Sequence, residues 1–248
     1  MDSEYEGRSE EARRRDGVVS LSDRLQLMIE QQILEHPDDF AAIYIELDNF
    51  ISYDSFCNDF GPVGIGNIYD FCNFMETENL QNSDSILTIL TVPNERRKIT
   101  NAAFLAGAYM IICLDKNPHQ VELMFLNVRA KFLSFRDVSP GPQNFHLDIL
   151  ECWKSLWRAK SLGWVDFSQD GFDPDEYAHF DSPLEADLHE IVPGRFVAMR
   201  GPVALPKGMH HIDVLSKSGH FSHRDFSVSH YVDILKQFEV CFILYLQS

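Results

Sequence analysis

The sequence predicts an α/β fold, and three observations carry that reading. Ile86 to Val92 (ILTILTV) is a short β-branched run suited to a buried strand. After a polar loop, Pro93 to Lys98, the stretch from Asn101 to about Leu114 (NAAFLAGAYMIICL) reads as a helix whose small residues let it pack closely on a sheet. A second helix begins near Pro118, so strand, loop and helices succeed one another as in α/β proteins. With 248 residues, 45% of them hydrophobic and 24% charged, the chain has room for one large domain or one domain and part of another, and wholesale disorder is excluded.

Taken in order, residues 1–18 carry mixed charge without an apolar run, which predicts a disordered, solvated tail and no secretion signal. From Arg24 to Glu35, Leu25, Leu27, Met28, Ile29, Ile33 and Leu34 recur at helix-like spacing, and Pro37 closes that segment. Ala42 to Leu47 alternates as a strand does. Gly61-Pro62 breaks the chain, and Ile65 to Met75 resumes a helical period. Asn82 to Ser85 forms a turn, and Thr100 caps the helix from Asn101, leaving Arg96 to Lys98 in the loop. A further helix runs from Leu147 to Leu162. Beyond Gly201-Pro202 the chain is rich in Gly, His and Ser, then Tyr231 to Gln237 is helical and Val240 to Leu246 reads as a core strand.

Charge narrows the choice of partners. Lys and Arg number 21 against 38 Asp and Glu, a net charge of −17, which argues against nucleic-acid binding and for basic partners. Nine of those acids, Asp166, Asp170, Asp173, Asp175, Glu176, Asp181, Glu185, Asp187 and Glu190, fall between residues 161 and 190 with no Lys or Arg among them. They form either a solvated linker face or a surface for a basic ligand. The apolar runs at Ala102–Leu114 and Val240–Leu246 are shorter than the ~20 residues of a spanning helix, so no membrane is implied. Five cysteines in apolar surroundings read as reduced thiols, which by elimination predicts the nucleus or cytoplasm.

Cys152 and Arg158 match Cys-x5-Arg, the minimal signature of cysteine-dependent phosphatases. That chemistry needs a low-pKa thiolate and a tight loop whose amides converge on phosphate. Trp153, Leu156 and Trp157 stand where glycine is wanted, and Leu150, Trp153 and Trp157 keep helical spacing, so the match is a helix face. The strand, loop and helix at Ile86 to Leu114 have the shape of a phosphate loop, with Pro93 at the nucleophile's place. Arg96, Arg97 and Lys98 there form an anion-binding relic, a solvated basic loop or a working anion site. Asp166 to Gly171 imitates the start of a calcium loop but has Tyr177 at the twelfth position. The histidines His210, His211, His220, His223 and His230 have no cysteine partners at zinc spacing, so neither a metal nor a cofactor is expected.

Asp59-Phe-Gly-Pro62, Asn101 to Tyr109, Phe135-Arg-Asp137, Phe172 to Tyr177 and Ile191 to Phe196, with Gly201-Pro202, together resemble one family. It is the N-terminal half of the dual-specificity phosphatases named after cell division cycle mutant fourteen, the mitotic-exit phosphatases. The likeness covers roughly residues 40–202. It implies two tandem tyrosine-phosphatase-like, three-layer α/β domains. The first is a pseudo-phosphatase that shapes a substrate groove, and the second carries His-Cys-x-x-Gly-x-x-Arg and the catalytic Asp. It implies substrates phosphorylated on Ser before Pro with a basic residue downstream, read by an acidic groove to which Glu185 and Asp187 belong. It also implies a role in cell-cycle control, with family locations at spindle, centrosome and nucleolus.

No other cysteine has Arg six residues on, so no catalytic residue is carried over. The expected domains are therefore a tail (1–18), a non-catalytic phosphatase-like domain (19–180), an acidic linker (181–205) and the start of a truncated catalytic domain (206–248). The function expected is that of the recognition half of a protein tyrosine/serine phosphatase. The alternative is a non-catalytic acidic module that binds basic phosphoproteins or a partner domain. An unpartnered strand at Val240 to Leu246 predicts self-association.

Overall fold

The computed structural model describes residues 17–29, 41–47, 50–51, 53, 55–139, 141–168, 171–216 and 219–244. Residues 1–16 of the expected tail, residues 30–35 of the first expected helix and the last four residues lie outside that description, and Val18, expected in the tail, opens a strand. The described chain is mixed α/β with six α-helices and divides into two compact units, one ending at Val165 and the other starting at Asp166.

The first unit is built on a four-stranded sheet ordered β1-β2-β4-β3, formed by β1 (Val18–Ser20), β2 (Leu25–Met28), β3 (Ala41–Glu46) and β4 (Ser85–Leu90). β1 and β2 form an antiparallel hairpin, whereas β2 and β3 both run parallel to the central β4, with Leu27 and Ile45 opposite Ile89. Leu87, Thr88 and Ile89 are buried in succession, so β4 is covered on both faces. The expected helix from Arg24 is corrected here. Leu25 and Leu27 are buried with half-buried Gln26 between them, a period of two, and pairing with Leu87 to Leu90 settles the choice. A run this apolar satisfies both periodicities, and the tertiary partner decides.

Four helices carry the rest of the core of the first unit. α1 (Ile65–Gln81) continues well past the expected end at Met75. α2 (Arg96–Ile112) starts earlier than expected: Glu95 is its N-cap, and Arg96, Arg97 and Lys98 form its first turn instead of a loop. Asn94, at φ 64°, reverses the chain just after Pro93 and so moves the helix start forward. Thr100 is therefore no cap. It is buried inside α2, where its hydroxyl donates to the Arg96 carbonyl and accepts from the Leu133 amide. All residues from Ile99 to Ile111 are buried, as in a helix enclosed on every side. After the short α3 (Pro118–Met124), opened by a reciprocal Asn117–Gln120 capping box, α4 (Ile149–Ser161) lays its Trp153 ring against Gly107 of α2. The Trp153 indole N–H donates to the Phe104 carbonyl at 3.2 Å.

The second unit contains α5 (Pro174–Asp181), a hairpin of β7 (Leu188–Val192) and β8 (Phe196–Met199), a second hairpin of β9 (His211–Leu215) and β10 (Phe221–Phe226), and α6 (Val228–Gln237). In the first unit, β5 (Phe135–Arg136) and β6 (His146–Leu147) pair as a small antiparallel ribbon. Residues 181–205, expected as a linker, are folded: Ala186 and Leu188 share one core with Phe180, Phe226 and Tyr231. The break in compactness thus falls before α5 and not at residue 180, because Phe180 packs with residues that follow it. The strand expected at Val240 to Leu246 does not form over its described part. Phe242, Ile243 and Leu244 are irregular and 78%, 66% and 72% exposed, and no strand lies beside them among the described residues.

Candidate functional site

The carboxyl ends of parallel strands are where open α/β sheets usually hold ligands. Glu46 and Leu47 at the end of β3, Leu90 at the end of β4, and Pro93, Lys98 and Ala102 beyond it line a cleft of about 280 Å³ there. α2 points its N-terminus toward this region with no side-chain cap and no acid in its first turn. Its first amides and the positive end of its dipole are therefore uncompensated from within the helix.

The three basic residues expected to hold an anion do not converge. Arg96 turns away and donates to the carbonyls of Ala130, Lys131 and Phe132, each at 3.0 Å. Arg97 places its guanidinium 5.3 Å above the Phe60 ring. Lys98 alone of the three lines the cleft, where Glu46 is the one acid and apolar groups supply most of the wall.

Cys152 and Arg158 are placed as the helical spacing requires. Cys152 is buried in α4, and burial, with Glu151 and Asp148 adding to it, pushes its thiol up to about 12. Six residues along a helix span about 9 Å, so Arg158 cannot close a cradle around that sulfur. An activated nucleophile needs the opposite shift.

Several residues of the shared motifs turn out to hold loops in place. Asp59 accepts hydrogen bonds from the Tyr53 hydroxyl (2.7 Å), the Cys57 amide (2.7 Å) and the Phe56 amide (3.2 Å). Burial opposes its charge, yet those bonds outweigh it and hold the carboxyl below its usual range. Gly61, at φ +147°, passes so close to Asn101 and Phe135 that a side chain would strike both. Asn101 in turn donates to the Phe60 carbonyl at 2.5 Å. Asp173 caps α5 through the amides of Asp175 and Glu176, and Glu190 accepts from the Gly194 amide in the turn between β7 and β8.

Glu185 and Asp187 lie on one tight turn. The Ser182 carbonyl accepts amide hydrogens from Glu185, Ala186 and Asp187, all at 3.0 Å. α6 braces that turn, with His230 Nε2 2.6 Å from the Glu185 carbonyl and the Tyr231 hydroxyl donating to that of Ala186. Glu185 is exposed, whereas Asp187 is half-buried and 3.7 Å from Arg200, which also binds Asp225 at 3.0 Å. The two acids therefore share a turn but not an environment. Sequence reasoning missed Arg200, Asp225, His230 and Tyr231, because nothing local to them signals a contact with residues 185–187.

The family model described as "Dual specificity protein phosphatase, N-terminal half" matches residues 19–159. The dual specificity protein phosphatase CDC14C of Symphalangus syndactylus is 31% identical over 191 residues, covering 75% of this chain and 38% of the relative. Human CDC14C is 29% identical over 237 residues, 94% of this chain and 49% of its own length. Human CDC14A is 35% identical over 161 residues, 64% of this chain and 27% of that protein. The chain thus spans less than half the length of these relatives.

Proposed function

The chain belongs to the dual specificity protein phosphatase family, N-terminal half, and from that premise we propose that it serves phosphoprotein dephosphorylation as a recognition half without phosphoryl chemistry of its own. The observation that carries this reading is the environment of Cys152, whose thiol is buried at the first turn of α4 and pushed up to about 12. Such a group does not attack phosphorus. The pseudo-phosphatase reading draws further support from Pro93, which occupies the turn between β4 and α2 where a nucleophile would stand. Catalysis in this proposal belongs to a separate phosphatase domain. The ligands are phosphoproteins with a basic residue near a phosphoserine-proline pair, and Glu185 with Asp187 contributes to reading that basic residue. A nuclear or cytoplasmic setting and a part in cell-cycle control go with this proposal.

A partner domain is the second reading, and the exposed Phe242, Ile243 and Leu244 favour it.

Two measurements test the first reading. The purified chain should release no phosphate from a small aryl phosphate above background. Turnover that disappears in Cys152→Ser would overturn the proposal. A peptide bearing phosphoserine-proline followed by lysine should bind weakly, and binding should weaken as salt shortens the Debye length below ~8 Å. Glu185→Gln with Asp187→Asn should reduce affinity roughly two- to fivefold, the scale of exposed ion pairs. An equal loss from Asp70→Asn with Asp84→Asn would leave only the general field of a −17 chain.

A further inference from the structure

The turn that carries Glu185 and Asp187 meets two arginines of its own unit. Asp187 stands at φ 49°, and its carbonyl accepts the Arg200 amide at 3.0 Å, just before the first pair of the β7–β8 hairpin, Leu188 with Met199. Residues opposed in this way bring their side chains together, and the Arg200 guanidinium lies 3.7 Å from the Asp187 carboxylate. Its other terminal nitrogen donates to Asp225 of β10 at 3.0 Å, and His223 Nε2 lies 3.5 Å from the same carboxylate. Arg224 approaches from the other side. It donates to the Leu184 carbonyl at 2.8 Å and forks onto Asp213 of β9 at 2.6 and 3.1 Å.

The two arginines are held differently. Arg224 is fixed by a bidentate pair with one carboxylate and by a backbone carbonyl, a geometry that resists exchange. Arg200 is divided, with its short bond to Asp225 and its long contact to Asp187. Both partners of that long contact are partly exposed, and a pair of this kind contributes little. The backbone around Asp187 is meanwhile fixed, because its amide is bound by the Ser182 carbonyl and its own carbonyl by Arg200. Only the side chains are free to change partners, and Asp225 stands ready to keep the guanidinium if Asp187 gives it up.

We propose that Arg200 is a built-in occupant of the acidic turn, displaced from Asp187 by the Lys or Arg side chain of an incoming peptide, and that it thereby sets the affinity of the turn for basic ligands. The inference rests on the recognition reading above and names the residue that regulates it. Without ligand, Arg200 neutralises Asp187, so the exposed Glu185 meets an approaching cation first. The ligand's cation then takes the Asp187 carboxylate, and Arg200 withdraws onto Asp225. One ion pair replaces another, so no carboxylate is left bare at either stage. Repulsion between the arriving cation and Arg200 is the cost of entry, and it keeps affinity below what two free acids would give.

Titration of the full chain with a labelled peptide bearing phosphoserine-proline followed by lysine, read by fluorescence anisotropy, tests this. Arg200→Gln should raise affinity roughly two- to fivefold, the scale of an exposed ion pair, and adding Asp187→Asn should cancel the gain. Arg200→Lys keeps the net charge and should show part of the gain, because an ammonium lacks the fork that spans Asp187 and Asp225. Arg195→Gln removes the same charge from the exposed turn of the same hairpin and should change affinity less. Arg200→Gln leaves Asp225 without its arginine, so the chain that also carries Asp225→Asn repeats the measurement with that carboxylate neutralised. A gain in neither chain, or a gain that Arg195→Gln matches, would overturn the proposal. Weaker binding by Glu185→Gln together with no gain in Arg200→Gln would strike this inference alone. Absence of binding in every chain would strike the recognition reading with it.

Discussion

Gly107 shows how one missing side chain positions another. A methyl group at that point of α2 would overlap the Trp153 indole, whose N–H is already committed to Phe104. Gly107→Ala should therefore cost about 1–3 kcal/mol through overpacking, read as a lower urea midpoint. An unchanged midpoint would mean that the ring moves aside freely. Asp59 makes a second prediction at this scale. Its folded-state pKa lies below the unfolded value near ~3.9, so its contribution is fully present above that pH and is lost as pH falls through the folded value. Asp59→Asn should destabilise the chain by about 2 kcal/mol at neutral pH, and the gap should narrow below about pH 4. A gap that stays constant with pH would remove the charge from the explanation. The Asp59-Phe-Gly-Pro and Asn101 motifs were legible as a pattern, but their work was not. Asn101 meets Phe60 across 41 positions, and no local rule points that far.

Elements were legible where periodicity and punctuation agreed. β3, β4 and α4 stand close to their expected limits because each alternates or repeats with one period between turn residues. β2 was misread because the apolar residues Leu25, Leu27, Met28 and Ile29 fit either period, and its parallel partner decides the matter. The start of α2 was misplaced because Thr100 has the chemistry of a cap while its hydroxyl works inside the helix. Arg96 offers the test of that boundary. Seated in the first turn of α2, its guanidinium holds three consecutive carbonyls, and Arg96→Ala should lower stability by about 1 kcal/mol, discounted for its exposure. Arg96→Lys should recover only part of that loss, since an ammonium lacks the planar fork. Full recovery in a melting experiment would show that charge alone suffices.

At the scale of the molecule, the reading of the candidate site was half legible. The acid-rich span was plain from composition, but its separate environments were not, because Arg200 approaches Asp187 only once the β7–β8 hairpin folds back. The C-terminal segment is not uniformly dispensable. Deleting residues from Lys236 onward would remove Phe238, which packs against Phe180 with ring centroids 5.0 Å apart. It would also remove Val240, whose amide donates to the Leu235 carbonyl. Truncation after Val240 should therefore reduce self-association while the second unit keeps its fold, whereas truncation before Lys236 should weaken that unit. Light scattering with circular dichroism separates the two. Undiminished self-association in the longer truncate would place the sticky surface elsewhere.

The parallel pairing of β2 with β4 also has a consequence for biosynthesis. The β1–β2 hairpin leaves the ribosome well before its partner, since 62 positions separate Gln26 from Thr88. At ~5–20 residues per second the hairpin waits roughly 3–12 s for the strand that covers it. Throughout that interval Leu25, Leu27 and Met28, all buried in the finished sheet, face whatever surrounds the nascent chain. Translation speed between codons 29 and 85 and the supply of holding chaperones thus become determinants of yield. A synonymous slowdown in that window should raise the aggregated fraction without altering one atom of the folded product.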